Sequence, residues 1–102
     1  MRRSFLLTPQ AKTDLEQILL DIAADSPDTA ERLRLEFWHA FQRLGRSPGI
    51  GHYRDELLDR DYRFWNVYSY VVVYAWRRKP IAIIAVIHGR RDLAAYFGLR
   101  DV

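Results

Sequence analysis

Cysteine is absent from the 102 residues of this chain, which excludes disulfide bonds, thiolate zinc sites and thiol nucleophiles. Long apolar runs are also missing, since none approaches the roughly 20 residues of a membrane-spanning helix. The N-terminus MRRSFLLTPQ is basic, but its apolar part, residues 5–7, is too short for a signal peptide. We therefore expect one domain over residues 1–102, held by an apolar core, with a cytoplasmic location and no membrane contact.

Metal-ligating patterns are also lacking. His39 and His52 have no second histidine and no paired carboxylates at ligand spacing. We expect no metal and no other cofactor.

Charge is unevenly distributed along the chain, although the formal net charge is only +3. Residues 14–36 carry seven acids and two bases, whereas residues 62–102 carry seven bases and two acids. This pattern fits a basic face for an acidic partner or a nucleic acid, and it equally fits ordinary solvated charge.

Two helices are predicted in the first half. Thr8-Pro9 and Ser26-Pro27 each combine an N-cap residue with proline at the first helical position. Apolar residues then recur at helical spacing, over Ala11, Leu15, Ile18, Leu19 and Ile22 and over Ala30, Leu33, Phe37, Ala40, Phe41 and Leu44. The first helix should end near Asp25 and the second at Gly45, giving a tight antiparallel hairpin.

Strands are predicted in the second half and at the N-terminus. Residues 4–7, 62–67, 70–76 and 81–87 are rich in apolar and aromatic residues. Residues 45–61 read as a long loop with a turn of helix near 56–58, and residues 91–99 as a short helix. The fold class is therefore α+β, in the order β-α-α-β-β-β. We expect a small twisted antiparallel sheet packed against an N-terminal helical hairpin, with the first strand at the sheet edge and a short C-terminal helix.

Three segments together resemble the ParE/RelE superfamily of bacterial toxins from type II toxin–antitoxin modules, and more closely its ParE branch. They are LTPQAKTDLEQI, LGRSPGIGHYRDEL and VVVYAW followed by IAIIAVIHGRRDL, and they cover the chain from about Phe5 to Leu93. The resemblance implies the same sheet and helical hairpin. It also implies one of two activities, because RelE-like members cut mRNA in the ribosome and ParE-like members inhibit DNA gyrase.

Cleavage of RNA needs a proton acceptor, cations that stabilise the phosphorane and an acid for the leaving oxygen. RelE-like enzymes supply these from lysines and an arginine on the middle strands, an arginine after the last strand and a tyrosine near the C-terminus. The corresponding positions here are Tyr62, Phe64 and Val71, the retained Arg91, and Phe97 with Tyr96 beside it. Most of the catalytic cations are therefore missing. If the protein is an RNase, the candidates are Arg63, Arg91 and Tyr96.

The segment IAVIHGRRDL joins the last strand to basic residues. His88 could act as a general base, but a histidine at a strand end beside a glycine is more often structural. Gly89 fits a turn that needs a permissive backbone. Arg90 and Arg91 could contact an acidic target or an antitoxin carboxylate, and Arg91 could equally pair with an acid of the first helix.

Candidate contact residues for the target or the antitoxin also lie elsewhere. Leu35 and Trp38 fall off the buried stripe of the second helix, which suits either a docking surface or packing against a loop. The full set is Leu35, Trp38, Arg77, Arg78, Lys79, Arg90 and Arg91.

The resemblance, together with the missing RNase cations, predicts a ParE-like toxin associated with plasmid stabilisation. It would inhibit DNA gyrase by protein binding, without enzymatic activity, and form a hetero-oligomer with a cognate antitoxin. Direct nucleic-acid binding is not expected. Two alternatives remain open: a ribosome-dependent mRNA endoribonuclease, and a non-toxic relative that only binds antitoxin.

Overall fold

The computed structural model describes residues 4–97, except for the side chains of residues 90–92 and 94. Its elements are β1 (Phe5–Leu7), α1 (Pro9–Asp25), α2 (Pro27–Arg46), a 3₁₀ turn (Pro48–Ile50), β2 (Tyr62–Val67), β3 (Tyr70–Ala75), β4 (Ile81–His88) and α3 (Gly89–Tyr96). The α+β class and the order β-α-α-β-β-β with a C-terminal helix are confirmed. The last part of the helix expected over residues 91–99 lies outside the described residues.

Both predicted helix starts are present with their caps. The Thr8 hydroxyl oxygen accepts the amide N–H of Ala11 at 3.2 Å, and the Ser26 hydroxyl oxygen accepts that of Thr29 at 3.3 Å. Each cap satisfies a donor that the first turn leaves without an intrahelical partner. Ser26 is also the C-cap of α1, which explains the tightness of the hairpin.

The sheet has the strand order β1-β4-β3-β2. As predicted, β2, β3 and β4 are sequential antiparallel neighbours and β1 lies at an edge. The sheet is nevertheless mixed, because β1 is parallel to β4, with Phe5 opposite Ile81. A parallel neighbour requires a long connection, and here the helical hairpin and two strands supply it.

Apolar side chains cover both faces of the sheet. On the hairpin face, Phe37 and Phe41 of α2 pack with Val72 and Ile83 of the central strands. The opposite face carries a second cluster, described below, which includes Leu93 of α3. Burial on two faces explains why residues 81–87 lack polar alternation.

The connection from α2 to β2 differs from the expectation in detail. It contains a 3₁₀ turn at Pro48–Ile50 that was not expected, and the predicted turn near residues 56–58 is present, with the Leu57 and Leu58 amides bonded to the Arg54 carbonyl. Pro48 fixes its own φ for the first position, and the Ile50 amide closes the turn on the Ser47 carbonyl at 3.1 Å.

Candidate functional site

The sheet face opposite the helical hairpin contains the positions that the RNase alternative requires. Phe64 is fully buried and Val71 is 8% exposed, and both belong to a cluster with Val73, Ala85, Ile87 and Leu93. Tyr62 packs against the same cluster. Period-two alternation along β2 and β3 places these side chains on one face. The arrangement is a second hydrophobic core.

The end of α3 closes this core. The Phe97 ring packs edge to face on Phe64 with a centroid distance of 6.3 Å, and Leu93 is 1% exposed. A phosphorane carries developing negative charge, and its stabilisation requires positioned donors or cations. The cation described against this cluster is Arg54, whose guanidinium lies 6.0 Å from the centroid of the Phe64 ring and is paired with Glu56 at 2.9 Å.

The His88-Gly89 junction forms the predicted turn. Gly89 has a φ of 67°, in the left-handed region that glycine adopts without strain. Its amide donates to the Ser69 carbonyl at 2.8 Å, and the exposed His88 ring packs edge to face on Tyr70 at 5.0 Å. These contacts tie the end of β4 to the turn between β2 and β3.

Tyr96 lies beside β4 at the α1 side of the sheet. Its hydroxyl donates to Oδ2 of Asp14 at 2.9 Å, and the same oxygen accepts the Val86 amide at 3.0 Å. Burial, followed by the hydrogen bond to Asp14, raises the pKa of Tyr96 to about 12. A phenol with such a pKa is poorly matched to proton transfer near neutral pH.

Arg63 lies on β2, at the other end of the strand order. Its guanidinium donates to the Gly51 carbonyl at 2.8 Å and to the Tyr53 hydroxyl at 3.0 Å. It stacks on the rings of Tyr53 and Trp76, at 4.2 and 4.1 Å from their centroids. These contacts hold the loop before β2 against the sheet, and no described contact joins Arg63 to Tyr96.

An apolar groove runs along α2. Leu35 lines it together with Leu33 of the same helix, Ile22 of α1, and Tyr68 and Tyr70 of the β2–β3 hairpin, around a cavity of about 700 Å³. Leu35 is 43% exposed and Tyr68 is 74% exposed. Trp38 is also exposed, although its ring packs edge to face on Phe5 at 5.1 Å. Leu35 thus presents apolar surface to solvent, whereas Trp38 packs on strand β1 and not on a loop.

Tyr68 was not among the candidate residues. It has a φ of 53°, which is rare for an aromatic residue, and it occupies the first position of a two-residue hairpin loop. The signal in the sequence is the length of that loop, because the residues of such a turn leave the sheet and point into solvent.

The basic residues between β3 and β4 differ in their pairing. Arg77 lies 3.4 Å from Asp61 and stacks on Trp76. Arg78 and Lys79 are exposed and form no ion pair with any described residue. Arg78 and Lys79 line a cavity together with Ser4 and Arg46. Neither this cavity nor the contribution of Ser4 and Arg46 to it was predicted from the sequence.

Arg90 and Arg91 lie in the first turn of α3, but their side chains are outside the described part of the chain. The choice between a partner contact and a pair with α1 therefore stays a prediction. Among the side chains that the structure describes, no group of three or more histidine and carboxylate residues could hold a metal ion. Over residues 4–97, no helix has the length and apolar character to cross a bilayer.

The observed fold, a helical hairpin packed on a four-stranded sheet, agrees with the one that the resemblance to the ParE/RelE superfamily implied. Residues 5–93 match the family described as the ParE toxin of the type II toxin–antitoxin system parDE. The chain therefore belongs to the ParE toxin family, and membership implies an antitoxin partner. Among curated proteins, none matches the chain.

Proposed function

We propose that this toxin inhibits DNA gyrase by binding it, without enzymatic activity, and that a cognate antitoxin neutralises it. The proposal rests on membership of the ParE family and on one observation. The sheet face that would hold an RNA-cleaving centre carries a buried apolar cluster that includes Phe64, Val71 and Leu93.

Burial of this face opposes catalysis for an electrostatic reason. A lysine or arginine placed in an apolar cluster loses its hydration, at a cost of several kcal/mol unless a counter-charge is present. Arg54, which lies 6.0 Å from the centroid of the Phe64 ring, is itself a cation and supplies no counter-charge. The positions of Arg63 and Tyr96 support the same proposal, since each side chain is engaged by structural partners on a different part of the sheet.

The antitoxin is proposed to cover the groove along α2. This groove combines exposed apolar atoms of Leu35 and Tyr68 with Arg32, Glu36 and His39, which suits an amphipathic segment. An extended and helical antitoxin segment could continue over Trp38 and the basic half of the chain. Because an antitoxin partner follows from the family, it is the occupant that we assign to the groove.

The gyrase proposal is tested with purified gyrase and relaxed plasmid. We expect the toxin to abolish supercoiling and an equimolar amount of antitoxin to restore it. Undiminished supercoiling at a large excess of toxin would refute gyrase as the target. Primer extension on translated mRNA, run at growth-arresting toxin levels, distinguishes the RNase alternative, because cleavage within codons would create new ends.

The groove is tested separately by antitoxin affinity. Leu35→Asp places a charge in the groove and should weaken binding by at least tenfold. Leu20→Asp is the matched control, since Leu20 is 65% exposed on α1 and does not line the groove. Equal effects of the two substitutions would place the antitoxin elsewhere, whatever the outcome of the gyrase assay.

A further inference from the structure

Three distant segments meet at one end of the sheet. The register of β1 and β4 places Phe5 opposite Ile81, which brings Ser4 beside Pro80. The end of α2 packs against the same point, because a Cβ on Gly45 would collide with Ser4. Arg46 follows directly. The fold thus brings Arg46 of α2 to the turn that carries Arg78 and Lys79.

These segments line an open cavity of about 650 Å³. Its lining includes the cations Arg46, Arg78 and Lys79, the Ser4 hydroxyl, and no acidic residue. No ion pair joins any of these three cations to a described residue. Neighbouring arginines behave differently: Arg60 is paired with Asp55 at 2.9 Å and Arg77 with Asp61 at 3.4 Å.

A cation at the end of a helix can be explained by the helix dipole, and Arg46 lies in the last turn of α2. The dipole amounts to roughly half a negative charge at that terminus. It therefore offsets only a small part of the charge of three cations. Mutual repulsion among the three still favours an anion in the cavity, and a multiply charged anion most strongly.

We propose that the cavity of Arg46, Arg78 and Lys79 binds the phosphate backbone of nucleic acid. This inference goes beyond the proposed function and does not depend on gyrase being the target. It reverses the expectation, drawn from the sequence, that the protein does not bind nucleic acid directly.

The neighbouring aromatic residues indicate which part of the nucleic acid is contacted. The guanidinium carbons of Arg63 and Arg77 lie 4.1 and 4.8 Å from the centroid of the Trp76 ring. Because guanidinium groups already cover this ring, it offers little surface for a base to stack. A surface with free cations and an occupied aromatic ring suits backbone phosphates without sequence preference.

The test uses the full chain and a short duplex DNA, with affinity measured over a range of salt concentrations. Each phosphate contact contributes a slope of about 0.9 in the plot of log affinity against log salt. Arg46→Gln, Arg78→Gln and Lys79→Gln should each lower the slope by about one contact, equally for unrelated DNA sequences. Arg34→Gln is the matched control, since it makes the same change in net charge at an arginine paired with Glu31.

Three results would overturn the proposal. One is no DNA binding at low salt, and another is a slope lowered as much by Arg34→Gln as by the cavity variants. The third comes from two competitors, an oligoglutamate peptide and inorganic pyrophosphate. If either binds through the three cations more tightly than the duplex does, the site serves an acidic peptide or a small phosphate and not a nucleic-acid backbone. Since all three side chains are exposed, circular dichroism should show that the variants remain folded.

Discussion

The Tyr96 hydroxyl donates to the carboxylate of Asp14 at 2.9 Å, and this contact fastens α3 to α1. The same carboxylate oxygen accepts the amide of Val86 at 3.0 Å. β1 pairs with β4 only up to Ile83, so the Val86 amide lies beyond the end of that pairing. The Asp14 side chain therefore accepts a backbone amide at the edge of β4 and also holds α3 over the second core.

Replacing Asp14 by alanine should destabilise the protein by about 1–3 kcal/mol, because a backbone donor at the sheet edge loses its partner. Urea unfolding followed by tryptophan fluorescence measures the change. Asp21→Ala is the control, since Asp21 is exposed and accepts a hydrogen bond from the Gln17 side chain. Similar losses for the two variants would show that the bond to Val86 contributes nothing.

Tyr96→Phe should change how stability depends on pH. The pKa of Tyr96 is raised from 10.0 to about 12, so its contribution is complete below about pH 10 and is lost as the pH rises toward 12. Ionisation would place a phenolate beside the Asp14 carboxylate. We expect the wild-type protein to lose stability over this window and Tyr96→Phe to lose less.

The readout is the free energy of unfolding at several pH values between 8 and 12. Tyr68→Phe controls for tyrosine removal, because Tyr68 is 74% exposed and its hydroxyl has no described hydrogen-bond partner. If Tyr96→Phe follows the wild-type curve in parallel, the bond to Asp14 does not govern this titration.

Val71→Arg tests whether the second core can hold an RNA-cleaving cation. Val71 is 8% exposed, so the substitution should destabilise the protein by more than about 3 kcal/mol and create no RNA cleavage. Thermal unfolding and primer extension give the two readouts. Val71→Ala, which removes volume without adding charge, should cost only about 1–2.5 kcal/mol. A stable Val71→Arg protein that cuts mRNA would support the RNase alternative.

Gly45→Ala should destabilise the protein although alanine is the better helix former. The higher helix propensity of alanine should stabilise the protein by about 1 kcal/mol. The new Cβ, however, would lie within 2.6 Å of the Ser4 side chain and carbonyl oxygen. We expect a net loss of about 1–2 kcal/mol from overpacking.

Ser4→Gly in the same protein should restore part of that loss, because it removes the Cβ and hydroxyl in the way. Gly49→Ala is the control, since no atom lies within 4 Å of its Cβ position. Thermal unfolding of the four proteins decides the matter, and a stabilised Gly45→Ala protein would contradict the close packing of α2 on Ser4.

Local signals in the sequence predicted the helices and the antiparallel strands well. Thr8-Pro9 and Ser26-Pro27 identify both helix starts because their caps act within three residues. The parallel pairing of β1 was beyond such signals, since its partner Ile81 is distant in the chain. The 3₁₀ turn was missed although Ser47-Pro48 repeats the signal that had located the two helices.

The candidate sites divide in the same way. Leu35 could be predicted from the sequence because it lies off the buried stripe of its helix. Phe64 and Val71 could be identified because RelE-like RNases carry cations at these positions and this chain has apolar residues there. The role of Arg46 could not be predicted, because in the sequence it is only a basic residue at a helix end. Its relation to Arg78 arises from the packing of α2 on Ser4 and from the β1–β4 register.

The β1–β4 pairing also sets the order in which a nascent chain can fold. The Thr8 hydroxyl bonds to the Ile84 carbonyl across 76 residues, which a ribosome synthesises in about 4–15 s at 5–20 residues per second. During that interval the helical hairpin can form, since its contacts are local, but β1 has no strand to join. Helix α2, which forms one side of the groove, is therefore synthesised before the sheet is complete. An antitoxin that recognises the two helices could then bind the toxin during translation.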